Sequence, residues 1–319
     1  MYSLTIVGGG AISSGYDSPQ GKIIKTHING ALKHSNINLD AVIEVNMERQ
    51  QYIRKKWGES FEIFSDIDKS IEKYKSDIVI IATPTNTHFN IINQLLVLHK
   101  PKLIICEKPI VSNYSEFKKL NNLLNEKNVK ILTHYTRRFD PSINELKNII
   151  QDCGVINHFY GTFAKGLFHN GSHLIDLVSL IISPVNDISS ISQNIVNNDI
   201  FGKFLLKTES CDGIICNIDN NKLSIFELTI YTQKAKIEIR GPSQEITIHY
   251  ISDNGNSSGF KSFSKKKTLI NTLDKYAYNL FEYSVNIINN ENKYNMLKSK
   301  QFFINKLIFE TQEKLLENY

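Results

Sequence analysis

The chain has 319 residues, and this length favours two domains over a single one. Its 37 basic and 32 acidic residues give a formal net charge of +5 that is spread along the sequence, which argues against nucleic-acid binding and slightly favours small anionic ligands. No apolar stretch is long enough to cross a bilayer, and no basic leader precedes the first apolar run, so the sequence predicts a cytoplasmic protein without a membrane partner.

The four cysteines show none of the spacings that bind zinc. Cys106, Cys153, Cys211 and Cys216 form no CxxC pair and no Cys/His motif. We therefore expect reduced thiols, in keeping with a cytosolic protein.

A glycine turn follows the first predicted strand, residues 4–7. The sequence Gly8-Gly9-Gly10-Ala11-Ile12-Ser13 has the strand–turn–helix context in which a GxGxxG motif binds a pyrophosphate. Gly8 allows the tight turn, Gly10 lets the backbone approach the phosphates, and N–H groups of the next helix stabilise their charge. Ser13 replaces the third glycine and is small enough to keep helix and strand close. The cofactor contacts predicted at this turn are Gly8, Gly10, Ala11 and Ile12.

Glu44 ends the second predicted strand, residues 40–44. An acid at this place accepts hydrogen bonds from the adenosine ribose and repels a 2′-phosphate, so NAD is favoured over NADP. Glu44 lies 34 residues after Gly10, more than the usual ~20. We attribute the excess to a polar insertion, residues 14–21, before an amphipathic helix whose buried set is Ile24, His27, Ile28 and Ala31. The alternative is a strand-end carboxylate without a ligand.

Two further buried strands are predicted at residues 77–84 and 103–106. The second is followed at once by Glu107, Lys108 and Pro109. Because side chains at the carboxyl ends of parallel strands face the ligand crevice, Lys108 is the first catalytic candidate. The alternative is that Glu107 and Lys108 form a solvated loop pair.

Strands alternate with helices through this half of the chain, which predicts an α/β fold with a doubly wound parallel sheet. A last strand, residues 129–133, completes a Rossmann domain that we place at residues 1–135. Beyond it, Arg137 and Arg138 suit a phosphate or carboxylate on the substrate, because guanidinium binds such groups bidentately. At least one of the two is expected to form a structural ion pair.

The segment 161–171 and the helix after it hold five candidate polar residues, namely Lys165, His169, Asn170, His173 and Asp176. His169, His173 and Asp176 would suit zinc if they shared one helical face. Asn170-Gly171, however, is a poor helix interior and a good helix start, so His169 is expected to precede the helix and no metal is predicted. His173 is the better general acid/base. The alternative is a core histidine bonded to backbone.

From residue 200 onward apolar and polar residues alternate, as in Phe226, Leu228 and Ile230. This period of two predicts an antiparallel sheet with one covered face and one face open to water or to a partner subunit. The basic run 265–267 is expected in a solvated loop, and two amphipathic helices finish the chain. We place a substrate-binding and oligomerisation domain at residues 136–319, whose last helix is free to pack back on the first domain.

Together these motifs resemble the Gfo/Idh/MocA oxidoreductase family over nearly the whole chain. The matching residues are Gly8 and Gly10, the stretch from Ala82-Thr83-Pro84 to His88, Glu107-Lys108-Pro109, and His173 with Asp176. The resemblance implies an N-terminal NAD(P) domain, a C-terminal α+β domain with a mostly antiparallel open sheet that builds homodimers or homotetramers, and a cis peptide at Lys108-Pro109.

The resemblance also guides the expected site residues. Cofactor contacts are expected from Thr83, Pro84, Thr85, His88, Glu107 and Lys108. Substrate contacts are expected from Tyr135, Arg137, Lys165, His169, Asn170 and Asp176.

Several shorter motifs look like a branch of the family that is associated with bacterial surface-polysaccharide and unusual-sugar biosynthesis. They are Ser14-Gly15-Tyr16-Asp17, Thr26-His27, Tyr135-Thr136-Arg137-Arg138-Phe139 and the segment from Lys165 to His173. One departure is His169, which stands where many members have an aspartate four residues before the catalytic histidine.

The sequence thus predicts hydride transfer between a nicotinamide and a carbinol or ketone carbon of a sugar or nucleotide-linked sugar. His173 would exchange the hydroxyl proton, and Lys108 would bind the same oxygen. Two alternatives remain, a non-catalytic NAD-binding regulator and a dehydrogenase of free cyclitols or aldoses. The presence of both Lys108 and His173 argues against the first, and the arginine pair favours an anionic substrate over the second.

Overall fold

The computed structural model describes residues 1–196, 199–218, 222–241, 244–253 and 260–317. The chain divides into two compact units, which are Met1–Phe139 with Asp274–Asn305, and Asp140–Leu273 with Lys306–Tyr319. The boundary predicted from the sequence, after residue 135, lies shortly before the first of these borders.

The first unit is built on a six-stranded parallel sheet, as predicted. Its strands are β1 (Tyr2–Val7), β2 (Ile37–Ile43), β3 (Glu62–Phe64), β4 (Ile78–Ile81), β5 (Leu103–Cys106) and β6 (Ile131–Thr133). They lie in the order β3-β2-β1-β4-β5-β6, which is the order of dinucleotide-binding doubly wound sheets. β4 and β5 are buried at every residue, which explains why their sequences are apolar throughout.

Five helices connect these strands: α1 (His27–Lys33), α2 (Met47–Trp57), α3 (Ile67–Lys73), α4 (His88–Leu98) and α5 (Tyr114–Lys127). The sequence analysis missed α2, β3 and α3, because few apolar residues mark them; in α2 only Ile53 and Trp57 are buried. A single π-helical turn, Ala11–Gly15, follows the glycine turn directly. The amphipathic helix begins only after the insertion, as predicted, and is α1.

Asp17 holds the inserted segment against the start of α1. Its carboxylate accepts hydrogen bonds from the Thr26 backbone N–H (2.9 Å), the Thr26 hydroxyl (2.6 Å) and the Asn29 side-chain amide (3.0 Å). Burial raises the pKa of Asp17, but these hydrogen bonds outweigh burial and lower the pKa below its ordinary value. Thr26 in turn caps α1, so the insertion fixes the position of His27, the first residue of that helix.

The second unit contains an eight-stranded, mostly antiparallel sheet, as predicted. Its strands are β7 (Ile156–Ala164), β8 (Val185–Val196), β9 (Asp199–Thr208), β10 (Asp212–Ile218), β11 (Phe226–Thr232), β12 (Ala235–Arg240), β13 (Glu245–Asp253) and β14 (Lys261–Leu269). They lie in the order β14-β13-β12-β11-β7-β10-β9-β8, and β7 and β10 run parallel.

Two predictions about this sheet need correction. It begins at β7, well before residue 200; the pattern of β7 is interrupted by Gly161, which leaves room for the side chain of Leu174. The basic run 265–267 lies in β14 and not in a loop. There Lys267 pairs in register with Ile248, and its ammonium lies 3.0 Å from the carboxylate of Glu145.

Four further helices are α6 (Pro141–Asp152), α7 (Ser172–Ile181), α8 (Tyr276–Ile288) and α9 (Glu291–Glu317). α8 and the part of α9 up to Asn305 belong to the first unit. Leu280 and Phe281 of α8 join Leu4 and Ile6 of β1 in one buried apolar cluster. Within the described ranges, no helix combines the length and the apolar character needed to cross a membrane.

Candidate active site

The carboxyl ends of five parallel strands bring most of the predicted residues of the first unit to one edge. In register, Ile43, Val7, Ile81, Cys106 and Thr133 lie side by side on β2, β1, β4, β5 and β6. The residues that follow them are therefore neighbours in the same order, namely Glu44, Gly8, Ala82, Glu107 and His134. Ligands of doubly wound sheets bind at this edge.

The turn after β1 contains one glycine that the protein itself requires and one that leaves space for a ligand. Gly8 has a φ of +102°, and a Cβ there would lie 2.6 Å from the carbonyl oxygen of Ala82. Gly10 has a φ of −61°, and a Cβ there would meet no atom within 4 Å. The space beside Gly10 is the open cradle that a pyrophosphate needs. At the same turn Ala11 is exposed and Ile12 is half-buried.

Glu44 follows β2 and is bonded to the glycine turn. Its Oε2 accepts a hydrogen bond from the N–H of Gly9 at 2.9 Å, and its Oε1 accepts one from the N–H of Asn46 at 2.8 Å. A carboxylate can accept about four hydrogen bonds, so capacity remains for the hydroxyls of a ribose. Glu44 thus steadies the turn, and its contact with the adenosine ribose stays a prediction.

The sequence analysis missed two cations at this turn. Arg49 of α2 donates from Nε to the carbonyl oxygen of Gly9 (2.7 Å) and from a terminal nitrogen to the hydroxyl of Ser14 (2.9 Å). Lys56 donates to the carbonyl oxygen of Ser14 at 2.8 Å. No sequence motif marks either residue. The one feature of the sequence that could have indicated them is their position in α2, the first helix after β2.

The loop after β4 contains Thr83, Pro84 and Thr85. Pro84 is exposed and the two threonines are half-buried, so the loop is accessible to a ligand. His88, by contrast, is only 1% exposed, and its ring nitrogens lie 2.9 Å from the Thr83 carbonyl oxygen and 3.0 Å from that of Pro109. The His88 ring therefore braces this loop against the loop after β5, and the cofactor contact predicted for His88 stays a prediction.

Lys108 follows β5 directly and is half-buried, and its peptide bond to Pro109 is cis, as the resemblance implied. The backbone is held on both sides of it. The N–H of Glu107 donates to the carbonyl oxygen of Ile81 at 2.9 Å, and the carbonyl oxygen of Pro109 contacts His88. Lys108 thus lies in a braced segment at the ligand edge of the sheet.

The carboxylate of Glu107 is not the solvated group of the alternative interpretation. Its Oε1 lies 2.9 Å from Nε2 of His27 and 2.6 Å from Nδ1 of His134. Both imidazoles are closed off from solvent, and the Glu107 side chain is 16% exposed. We call these three residues the His27–Glu107–His134 cluster. Sequence reasoning missed it, because the partners lie 80 and 27 residues from Glu107.

Burial and hydrogen bonding act in opposite directions on this cluster. Burial opposes the charge of Glu107, but the attraction and hydrogen bonds of His134 and His27 outweigh it and hold the pKa of that carboxyl well below its ordinary value. Burial also lowers the pKa of His27, although its bond to Glu107 acts to raise it. The cluster therefore favours a charged carboxylate and an uncharged His27.

Tyr135 and Arg137 follow β6. Tyr135 is 2% exposed, and its hydroxyl donates to Oδ1 of Asn305 at 3.1 Å. The Tyr135 hydroxyl is thus bonded inside the first unit, and the substrate contact predicted for Tyr135 stays a prediction. Arg137 is half-buried and Arg138 is 8% exposed, so Arg137 is the arginine more accessible to an anionic group.

In the second unit, Asp199 shapes the turn that precedes α7. Leu167–Gly171 forms one π-helical turn. The Asp199 carboxylate accepts hydrogen bonds from the N–H groups of Phe168 (2.9 Å) and His169 (3.2 Å). A side chain at Gly166 would collide with this carboxylate, so a glycine is required there. No sequence motif pointed to Asp199.

The same turn presents three of the predicted substrate residues. Lys165 has a left-handed φ of 66°, and it is exposed, as is His169. Asn170 is half-buried, and its amide donates to the carbonyl oxygen of Ala164 at 2.9 Å. These side chains are accessible, and their contact with a substrate stays a prediction.

His173 lies in the first turn of α7 and is half-buried, whereas Asp176 is 1% exposed. Asp176 is therefore buried inside the second unit, and its contact with a substrate stays a prediction. His169 precedes α7, as expected. Across the described part of the chain, the residues able to share a metal ion are instead those of the His27–Glu107–His134 cluster, whose ligand atoms all lie within 4.8 Å of one another.

Lys108 and His173, the two predicted catalytic residues, belong to different units. Lys108 lies in the first unit and His173 in the second. Their action on one substrate oxygen stays a prediction.

A comparison with protein families connects this edge to a known group. Residues 6–135 match the model of an oxidoreductase family with an NAD-binding Rossmann fold. Those residues are thus similar to the NAD-binding part of the Gfo/Idh/MocA oxidoreductase family. The matched range contains Gly8, Glu44 and Lys108, so the similarity covers the ligand edge of the parallel sheet.

Curated relatives align with part of the chain only. An uncharacterised oxidoreductase of Schizosaccharomyces pombe is 28% identical over 134 residues, which are 36% of this chain and 36% of the relative. An inositol 2-dehydrogenase of Rhizobium meliloti is 26% identical over 132 residues, 41% of this chain and 38% of the relative. The aligned region thus spans well under half of these relatives' length.

Solved structures extend the likeness of fold to the second unit. A 3-ketoreductase from Actinomadura kijaniata, in complex with NADP and TDP-benzene, gives a TM-score of 0.73 at 12% identity. The superposition covers 96% of this chain and 95% of that one. At this identity the likeness concerns the fold alone.

Proposed function

We propose that this chain is a member of the Gfo/Idh/MocA family and an NAD(P)-dependent enzyme that transfers a hydride between a nicotinamide and a carbinol or ketone carbon of a sugar. The observation that carries the proposal is the order of groups along the carboxyl edge of the parallel sheet. An open glycine turn follows β1, and Lys108 follows β5, two strands away. Neighbouring strands lie about 4.8 Å apart, so roughly 10 Å separates the two, and a dinucleotide lying along this edge reaches both.

The residues at this edge fit a dinucleotide. The cradle beside Gly10 would hold the pyrophosphate, the accessible loop with Thr83 and Thr85 would line the cofactor, and Glu44 would accept hydrogen bonds from the ribose. When bound, the cofactor supplies the acceptor or donor of the hydride. Protein side chains would transfer the proton, stabilise the developing charge and orient the substrate.

We assign the proton to His173 and the stabilisation of charge to Lys108. In the direction of oxidation, the hydroxyl proton passes to the His173 imidazole while the carbinol C–H bond breaks as a hydride and the C=O bond forms. The Lys108 ammonium donates a hydrogen bond to the same oxygen and stabilises its developing negative charge. The proposal requires both groups at that oxygen.

We further propose a nucleotide-linked sugar of surface-glycan biosynthesis as the substrate. The half-buried Arg137 supports this choice, because guanidinium binds phosphate bidentately. The A. kijaniata ketoreductase was solved with a TDP-linked ligand, which also supports it. Lys165, His169 and Asn170 would orient the sugar. We also propose a homodimer or homotetramer that forms through the open face of the second sheet.

A second candidate is a dehydrogenase of free cyclitols, which the alignment with an inositol 2-dehydrogenase favours. Turnover of nucleotide-linked sugars, free aldoses and inositols would separate the two. Turnover of inositols alone would favour the second candidate.

NAD is the proposed cofactor, because the carboxylate of Glu44 would repel the 2′-phosphate of NADP. Arg49 is the argument for NADP, because its guanidinium places a positive charge at the same turn. We expect tighter binding of NADH than of NADPH, and we expect Glu44→Gln to narrow the difference. Fluorescence titration with both cofactors measures this. Tighter binding of NADPH by the wild type would reverse the assignment.

The central experiment removes the two proposed catalytic groups. Lys108→Ala and His173→Ala should each lower kcat by about 10²–10⁴-fold, the usual contribution of a positioned acid or base, while NADH still binds. Lys102→Ala at the other end of β5 and His158→Ala on β7, both exposed, are the matched controls. Full activity in either active-site variant refutes that residue's role. NADH binding without turnover of any sugar by the wild type would favour the non-catalytic regulator.

A further inference from the structure

The His27–Glu107–His134 cluster brings together three distant parts of the first unit, directly beside Lys108. His27 begins α1, Glu107 follows β5 and His134 follows β6. Both imidazoles point at the same carboxylate oxygen, at 2.9 and 2.6 Å. The reaction proposed above assigns no task to either histidine.

The unpaired atoms of the two rings define their protonation. Nδ1 of His27 and Nε2 of His134 are buried and have no hydrogen-bond partner among the described residues. A proton on either atom would be a buried N–H donor without an acceptor, which is costly. The protons therefore lie on Nε2 of His27 and on Nδ1 of His134, and both rings donate to Oε1 of Glu107.

The charges around the cluster agree with this arrangement. Tyr276, at the start of α8, has its ring centroid 5.9 Å from that of His134, and burial together with the charge of Glu107 raises its pKa. Tyr16 and Asp17 of the insertion act on Tyr276 in the same direction. Lys108, the residue directly after Glu107, is the positively charged side chain nearest to Glu107 in the sequence.

We propose that His27 and His134 are positioning residues that act through Glu107. As two donors on one oxygen, they hold the charged carboxylate in a single orientation and thereby fix the backbone from which the Lys108 ammonium projects. Asp17 supports the arrangement from the insertion, because it binds the cap of the helix that begins with His27. The catalytic consequence rests on the proposed function of Lys108; the arrangement of the cluster does not.

A metal ion is the competing occupant of these three side chains. If a metal bound Nε2 of His27 and Nδ1 of His134, the ring protons would move to the two buried nitrogens that have no acceptor. Metal-bound histidines almost always donate that second N–H to a carbonyl or carboxylate, so the surroundings favour the hydrogen-bonded cluster.

Histidine NMR and hydrogen exchange test the arrangement without any substrate. In ¹⁵N-histidine-labelled full-length protein, we expect His27 as the Nε2–H tautomer and His134 as the Nδ1–H tautomer at pH 7. His27→Leu and His134→Leu should speed amide hydrogen exchange in the β5–Pro109 segment by about tenfold or more, because a buried carboxylate loses a donor. His27→Gln and His134→Asn should keep this exchange slow, since the side-chain amide nitrogen of each variant takes the place of the imidazole N–H that donated to Glu107.

His34→Leu is the matched control. His34 is also buried and also lies beside a carboxylate, with its Nε2 3.2 Å from Glu282, but it is not at the ligand edge. This variant should leave exchange in the β5–Pro109 segment unchanged. Thermal melting of every variant separates local loosening from failure to fold, and the NMR measurement on the wild type needs no variant.

Kinetics test the consequence for Lys108. The two leucine variants should lower kcat by about 10–100-fold while the NADH dissociation constant changes less than kcat, and the Gln and Asn variants should restore most of the loss. The opposite tautomers at pH 7, unchanged exchange in well-folded leucine variants, or stoichiometric zinc in the purified protein would overturn the proposal. If the wild type turns over no sugar, the proposed function fails, and NMR and exchange still decide the arrangement of the cluster.

Discussion

Gly8 and Gly10 show how two identical residues of one motif have different physical requirements. Gly8 is required by the fold, because its backbone is left-handed and the Ala82 carbonyl oxygen occupies the place of a side chain. Gly10 is not required by the fold, since open space lies beside it. Ser13, at the third position of the motif, is fully buried, so a small residue suffices there. The open space beside Gly10 points to a ligand, whereas the constraint at Gly8 comes from the fold itself.

Alanine at each glycine separates these two requirements. Gly8→Ala should lower the free energy of unfolding by about 1–3 kcal/mol, because the new Cβ forces backbone strain. Gly10→Ala should change stability by less than about 0.5 kcal/mol but weaken NADH binding by at least about tenfold. Urea denaturation and fluorescence titration measure the two effects. Unchanged NADH affinity in Gly10→Ala would contradict the pyrophosphate site.

His27 should make stability depend on pH, because its folded pKa is lowered by burial. In the unfolded chain it takes up a proton near pH 6.5, while the folded form resists it until a lower pH. The free energy of unfolding should therefore fall as the pH drops below about 6.5, by up to about 1.4 kcal/mol per pH unit for this one group. His27→Gln should flatten the curve over this range, and the exposed His158→Gln should not. Denaturation at several pH values measures the slopes.

At the scale of single elements, two short segments outside the regular α-helices lie next to candidate residues in the sequence. The insertion is bonded to α1 through Asp17, and the π-helical turn before α7 is bonded to β9 through Asp199. Both aspartates accept hydrogen bonds from backbone N–H groups, which gives an irregular segment a defined conformation. The conformation of each segment therefore depends on the carboxylate of one aspartate, and no periodic sequence pattern marks that aspartate.

Asp199→Ala tests this dependence in the second unit. Removal of the carboxylate leaves the N–H groups of Phe168 and His169 without their acceptor, so the turn that leads to His173 should loosen. We expect kcat to fall by at least about tenfold, because misplacement by about 1 Å can cost up to 100-fold. NADH affinity should not change, since the proposed cofactor contacts lie in the first unit. Equal losses of affinity and turnover would argue against a local effect.

At the scale of the whole molecule, the first unit is not continuous in sequence. Residues 274–305 return to it after the entire second sheet, and α8 adds Leu280 and Phe281 to the core that contains β1. A hydrogen bond from Tyr135 to Asn305 joins the end of β6 to α9. A Rossmann unit that ended at residue 135 would lack this part of its core.

Phe281→Ala tests whether the returning segment stabilises the unit. The side chain is fully buried, so its loss should cost about 3–5 kcal/mol of unfolding free energy and should weaken NADH binding at elevated temperature. Phe303→Ala on α9 is the control, because that ring is 41% exposed and should cost about 0.5 kcal/mol. Similar losses in both variants would contradict a specific core role for α8.

The sequence alone determined the parallel sheet, the glycine turn, the position of Lys108 after β5 and the antiparallel sheet of the second half. These features depend on neighbours along the chain, namely runs of apolar residues, alternation and turn residues. Only the tertiary structure decided which polar side chains remain available. Glu107, His88 and Tyr135 are bonded inside the first unit, and the partners of Glu107 lie 80 and 27 residues away. Burial and hydrogen bonding are set by such distant contacts, which no local pattern records.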